Sequence, residues 1–309
     1  LGYLPIKVKG LKEGTFVPMG VPVLTIYNTN DEFPWVTNFL ETMISNLLWK
    51  PMTSATLAYE FKKLNDKWIA KTDTGNEFHS QFGCHDFSMR GMDSLFATVS
   101  SGLGHAVSFL GSDSLPVIAG ARQFYNADRF PNGALGLVAD GFDLWKLVTE
   151  VLPQLKDKIM SRTGGALVLR PDSGDPVDIV CGVDSATDNG GGTTFWTGRK
   201  DISLSEKNGV VELLWDIFGG SVNEQGYKVL HPTVRVIYGD AINLERFNEI
   251  NTRLEAKGFA STNWVAGIGS FTYQFNTRDT FGFAMKSTYQ DGLFKNEISF
   301  SSIRKLISK

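Results

Sequence analysis

Five short apolar runs, each closed by glycine or a polar residue, alternate with helical stretches along this 309-residue chain. Ala106–Leu110 ends at Gly111-Ser112-Asp113, Ala134–Val138 at Ala139-Asp140-Gly141, and Leu167–Leu169 at Arg170-Pro171-Asp172. Val234–Tyr238 ends at Gly239-Asp240, and Asn263–Ala266 at Gly267-Ile268-Gly269-Ser270. The spacing predicts helices between them, among these Asp143–Met160, Val210–Phe218 and Leu244–Lys257, the last stopped by Gly258. Strands alternating with helices make a parallel sheet. A β/α barrel, with its active site at the C-terminal ends of the strands, is the expected architecture. An open doubly wound sheet is the second choice.

The strand ends carry the chemistry. A strand that runs into Arg170, Asp172 and Gly174 suits a phosphorylated sugar. A guanidinium grips phosphate oxygens in a fixed fork, a carboxylate holds a ribose hydroxyl or a metal, and glycine lets backbone come close. The same residues also make an ordinary turn in which Arg170 and Asp172 pair with each other. Any single Gly-Asp is equally a helix N-cap or a turn, and recurrence on successive strands is what favours a pocket. Asp140, Asp172 and Asp240 are the candidate catalytic carboxylates.

Elsewhere the pattern predicts a strand over 21–27, helices over 33–48 and 54–70, and an exposed excursion over 182–209 rich in Gly, Thr, Ser and Asp. That excursion reads as a solvated insertion, with a lid as the other choice. The formal net charge of −3 gives no sign of a general nucleic-acid binder, so any anion site is local. Cys84 and Cys181, far apart, suit a reducing compartment and have no metal-binding spacing. His79, His85, His105 and His231 form no close-set ligand motif, and His85 and His105 read as structural. No apolar run reaches membrane-spanning length, and the first residues lack a signal-peptide pattern. A cytoplasmic location is expected, although the chain begins at Leu1 rather than Met.

Six segments together resemble the nicotinamide phosphoribosyltransferase family of bacteria and phages. They are Trp35-Val-Thr-Asn-Phe-Leu-Glu-Thr, His85-Asp-Phe-Ser-Met-Arg-Gly91, Phe109-Leu-Gly-Ser-Asp113, Leu169-Arg-Pro-Asp-Ser-Gly-Asp-Pro176, Val236-Ile-Tyr-Gly-Asp240, and Gly267-Ile-Gly-Ser with Asn276-Thr-Arg-Asp279. The resemblance implies an irregular β/α barrel of the type II phosphoribosyltransferase kind with a smaller β-rich domain. The expected division is a partial β-rich and helical domain over 1–80, the barrel over 81–285, and a C-terminal segment over 286–309 that returns to the β-rich domain. It also implies transfer of phosphoribosyl from phosphoribosyl pyrophosphate to nicotinamide with Mg2+, by a homodimer whose active sites lie at the interface.

By the same resemblance, Phe87 stacks on the pyridine ring and Arg90 binds the diphosphate. Asp113 accepts a hydrogen bond from the nicotinamide amide and repels nicotinate. Arg170, Asp172, Gly239 and Asp240 hold ribose and phosphates, while Gly269, Ser270 and Arg278 take the 5′-phosphate. Each has a plainer reading: core packing for Phe87, a surface ion pair for Arg90, an N-cap for Asp113, and tight turns for Gly239 and Gly269.

The chain departs from the family in several places. The opening Asp-Ser-Tyr-Lys stretch, whose tyrosine stacks on nicotinamide in the other subunit, is absent. So are the loop after Asn126-Ala127, with the histidine whose phosphorylation couples ATP, and a segment after Gln290. Gly136 stands where the family commonly has Ser. The chain is therefore expected to be the ordered parts of a longer one. A shortened, inactive nucleotide-binding relative and a nicotinate phosphoribosyltransferase are the alternatives, and ATP stimulation is left open.

Overall fold

The computed structural model describes residues 2–127, 136–139, 143–183, 202–290 and 293–294. The chain divides into two compact units, Leu1–Ser54 with Asn276–Lys309, and Ala55–Phe275.

In the first unit, β1 (Ile6–Gly10) and β2 (Leu24–Asn28) pair antiparallel, with Ile6 opposite Asn28. The expected strand over 21–27 thus begins three residues late, because Val21 follows a turn closed onto the Pro18 carbonyl. Helix α1 spans Val36–Thr72 without interruption and contains Pro51. Two helices were expected here. A proline costs one backbone hydrogen bond and bends a helix, but the apolar pattern on both sides carries this one through.

The second unit holds a six-stranded parallel sheet built from β3 (Cys84–Asp86), β4 (Gly111–Ser112), β5 (Gly136–Val138), β6 (Leu167–Arg170), β9 (Val234–Tyr238) and β10 (Trp264–Ile268); β7 (Gly220–Val222) and β8 (Lys228–Leu230) form a separate antiparallel pair. The order across the large sheet is β4-β3-β10-β9-β6-β5. The α/β class and the parallel sheet follow the strand–helix alternation. Among the described residues β4 and β5 are the end strands, so these strands make half a barrel wall.

Helix α2 (Glu77–Phe82) leads into β3, α3 (Leu95–Ala106) joins β3 to β4, and α4 (Pro116–Tyr125) follows β4. The run expected as a strand over 106–110 is instead the end of α3 and a turn, with the Phe109 N–H still bonded to the His105 carbonyl. Only Gly111 and Ser112 pair in the sheet. Short apolar runs fit either structure, and length does not separate them.

The expected helix over 143–160 is broken into α5 (Leu144–Lys146), a π-turn (Leu147–Val151), α6 (Leu152–Gln154) and α7 (Lys156–Met160). The Leu152 N–H bonds the Leu147 carbonyl, five residues back, just before Pro153. Beyond β6 come α8 (Pro176–Cys181), α9 (Leu204–Phe218), α10 (Leu244–Ala256) and α11 (Ser270–Gln274). Residues 184–201 of the expected excursion lie outside the described residues, but its end is helical. Ser203 and Glu206 form a reciprocal capping box that starts α9, and Gly209 (φ 78°) breaks it. The core between sheet and helices is led by Trp264, Tyr238, Phe61, Phe109 and Phe259, with Phe61 edge-on to Phe247.

Candidate active site

Each strand end contributes in spatial order. From β4 through β3, β10 and β9 to β6, the residues just past the last paired position are Asp113, Phe87, Gly269-Ser270, Gly239-Asp240 and Asp172. The parallel sheet brings together groups more than a hundred positions apart in sequence.

A cavity of about 150 Å³ opens there, lined by Phe87, Arg90, Arg170, Gly239, Asp240, Ala241, Gly269, Ser270 and Phe271. Seven of the expected site residues therefore share one wall. Phe87 is its centre. Its N–H bonds the Ile268 carbonyl at 2.9 Å. The Arg170 guanidinium lies 4.2 Å from its ring centroid, and the His85 ring lies 4.9 Å away. A Cβ at Gly239 would meet the Phe87 ring at 2.9 Å, and one at Gly267 would collide with it. Glycine at these two positions makes room for the aromatic ring.

Asp172 is the electrostatic hub. Its Oδ2 accepts from Arg170 Nη2 at 3.3 Å and from Arg90 Nη2 at 3.4 Å. The turn reading and the pocket reading are both realised here, because the Arg170–Asp172 pair itself forms part of the wall. Arg170 and Asp172 are largely buried while the Arg90 side chain is mostly exposed. Arg170 Nε is buried without a hydrogen-bond partner. The rest of the motif is structural. Gly174 turns at φ 94°, Tyr238 donates its hydroxyl to the Gly174 carbonyl, and Asp175 caps α8 ahead of Pro176.

Asp113 does not cap α4, whose N-cap position is Leu115. Its carboxylate instead accepts from His85 Nε2 at 2.9 Å. That hydrogen bond is the main reason its pKa is lowered, with burial opposing. His85, read from the sequence as structural, is the side chain that holds Asp113. The signal was present: residues 85 and 87 alternate on one face of an extended segment. A Cβ at Gly111 would come 2.6 Å from His85 Nδ1, so that glycine also serves the site. His105 is fully enclosed as expected, between Tyr273 and the Gly111 carbonyl.

Arg278 belongs to the other compact unit, where it pairs with Asp279 at 3.1 Å. Asp140, together with the Ala127–Asp128 junction, lies outside the described residues on its Asp side. The sequence also gave no hint of Ala241, a non-glycine residue at φ 49° on the cavity wall, whose carbonyl is held by Arg246 at 2.7 Å. Backbone strain of this kind collects at functional sites.

Among the described residues no group of three or more His, Cys, Asp or Glu could hold a metal ion. Asp172 Oδ2 is taken by two arginines, and Asp240 is the exposed carboxylate of the cavity. One or two carboxylates plus substrate phosphates is the usual way Mg2+ is held. The donors therefore fit an ion that arrives with a diphosphate.

A match to the nicotinate phosphoribosyltransferase (NAPRTase) family covers residues 82–292, which span all six strands of the sheet and every cavity-lining residue. The chain belongs to this family. Among curated proteins it is 42% identical to a nicotinamide phosphoribosyltransferase of Acinetobacter baylyi, over 99% of this chain and 66% of that relative. It is 34% identical to one of Mycoplasma pneumoniae and 30% to one of Xanthomonas campestris, over 92% of this chain and 65% and 62% of those relatives. The chain thus spans just under two thirds of the length of these relatives. The alignment to the Acinetobacter protein runs over 349 positions against 309 residues here, so that relative carries internal segments this chain lacks.

Proposed function

We propose that the chain carries the barrel-side catalytic site of a nicotinamide phosphoribosyltransferase. Phosphoribosyl passes from phosphoribosyl pyrophosphate to nicotinamide, giving nicotinamide mononucleotide and pyrophosphate. The observation that carries this reading is Asp113, held by His85 Nε2 beside the ring of Phe87. With Oδ1 occupied by His85, the other oxygen is the acceptor this reading assigns to the amide N–H2. An ionised carboxylate with a lowered pKa repels the carboxylate of nicotinate.

Displacement at the anomeric carbon passes through an oxocarbenium-like state, so the chain's work is to aim, to neutralise and to exclude water. Phe87 presents a flat apolar face to the pyridine. Arg90 and Arg170 meet the leaving diphosphate, and Asp172 keeps their two guanidinium groups together. Asp240 and the backbone of Gly239 face the ribose, and Gly269 with Ser270 takes the 5′-phosphate at the start of α11. Mg2+ bound to the diphosphate supplies further charge neutralisation. A homodimer that completes the site and a cytoplasmic location belong to the same proposal; no helix among the described residues is long and apolar enough to cross a membrane.

Labelled phosphoribosyl pyrophosphate with Mg2+, offered nicotinamide or nicotinate, tests the reading. Labelled nicotinamide mononucleotide is expected from nicotinamide alone. Product from nicotinate alone would transfer the assignment to a nicotinate enzyme, and product from neither would favour a nucleotide-binding relative without activity.

A further inference from the structure

His105, on the last turn of α3, is buried and takes no part in the chemistry above. Its Nε2 lies 3.1 Å from the Gly111 carbonyl and its Nδ1 lies 2.7 Å from the Tyr273 hydroxyl. A carbonyl only accepts, so the ring proton sits on Nε2, and Nδ1 then accepts from the tyrosine O–H. Burial favours the neutral imidazole, with the Asp86 carboxylate opposing and His85 adding to it, and burial also pushes the Tyr273 phenol up. One neutral tautomer satisfies both contacts.

The two contacts end on different halves of the site. Gly111 begins β4, leaves room for His85, and lies two residues before Asp113. Tyr273 belongs to α11, whose first residue is Ser270, and a Cβ at Gly91 would collide with that serine. Gly91 in turn closes the short helical turn Met89–Gly91 that carries Arg90.

We propose that His105 is a positioning residue that ties the strand end recognising the pyridine amide to the helix start recognising the phosphate. The proposal rests on the phosphoribosyl-transfer reading. Its distinguishing consequence is that the two halves loosen separately. Tyr273→Phe keeps the ring and the Gly111 contact but removes the donor to Nδ1. His105→Phe removes both contacts. His105→Gln retains an amide N–H that can reach the Gly111 carbonyl.

Titration calorimetry of the full chain, with nicotinamide and with phosphoribosyl pyrophosphate plus Mg2+ as separate probes, decides the matter. Tyr273→Phe is expected to raise the Kd for phosphoribosyl pyrophosphate about tenfold, the scale of one lost hydrogen bond, with nicotinamide within about twofold. His105→Phe is expected to raise both, and His105→Gln to recover nicotinamide alone. In ¹⁵N-histidine spectra His105 is expected as the Nε2-protonated neutral form from about pH 6 to 8, a readout independent of ligand. Loss of both affinities in parallel in Tyr273→Phe, or of neither in His105→Phe, overturns the proposal while wild-type binding upholds the functional reading. A charged or Nδ1-protonated His105 overturns it as well. Wild-type protein that binds neither probe overturns the reading and the proposal together.

Discussion

Asp113 and His85 show how far single residues can be read. The carboxylate was legible as a strand-end group, but its alternative role as a helix cap was excluded only by the position of Leu115 at the N-cap of α4. His85 carries no spacing motif, and only the pairing of β3 with β4 brings it to Asp113. Asp113→Ala removes a charged acceptor that is mostly exposed. Hydrogen bonds to charged groups contribute about 1.5–3 kcal/mol, so kcat/KM for nicotinamide is expected to fall about 10- to 100-fold. The melting temperature should stay within a few degrees, since exposed substitutions cost about 0.5 kcal/mol or less. Unchanged turnover would remove Asp113 from the site. Gly267→Ala makes the opposite kind of test. Its methyl group meets the Phe87 ring and lies 2.7 Å from the Gly239 Cα, and backbone cannot step aside as a flexible side chain does. A loss of about 1–3 kcal/mol in urea unfolding is expected, with weakened nicotinamide binding. A variant that bound nicotinamide normally would show that Phe87 does not form the pyridine face.

At the scale of elements, legibility followed the strength of the local pattern. The strand over 234–238 and the helix from Leu244 appear where the apolar spacing puts them, because β9 is buried along most of its length and α10 has a strong apolar stripe over Phe247, Ile250 and Leu254. The errors fell where the pattern is short or interrupted: the helix end at 105–109, the proline in α1, and the π-turn before Pro153. The start of α9 was also missed, although Ser203 and Glu206 have the spacing of a capping box. Ser203→Ala is expected to cost about 1 kcal/mol, the usual worth of an N-cap. Gly209→Ala should cost several times more, on the order of 3 kcal/mol or above, because Gly209 has positive φ and its missing Cβ lies against the backbone of Cys181 and Gly182. Urea midpoints of the two variants check the order. Equal losses would mean that the α8–α9 junction relaxes around the added methyl group.

For the whole molecule, buried histidines contribute to the response to acid. His79 in α2 has its pKa lowered from the ordinary 6.5 to about 4, chiefly by burial, with Asp73 opposing and Arg235 and Lys62 adding. His105 is shifted the same way. Between those values the unfolded chain binds the proton and the folded chain does not, so stability is full above about pH 6.5 and is lost as pH falls toward 4. From pH 7 to 5 the loss from His79 alone is expected to be about 2 kcal/mol. His79→Gln should flatten the pH dependence of urea unfolding, and an unchanged slope would place the acid sensitivity elsewhere. Sequence by itself determined the α/β class, the parallel sheet and the polar strand ends at Asp113, Asp172, Asp240 and Ser270, because alternating apolar runs and turn residues are local signals; β3 with Phe87 at its end was not read as a strand. Sequence order could not decide which strand ends are neighbours. The order β4-β3-β10-β9-β6 places Phe87 beside Gly267 and Gly239 and brings Arg90 to Asp172, although 82 positions separate that pair. Tertiary structure alone decided that Arg170 stacks on Phe87 and that His85 reaches Asp113. These are long-range contacts, set by how strands pack across a sheet, and no local pattern encodes them.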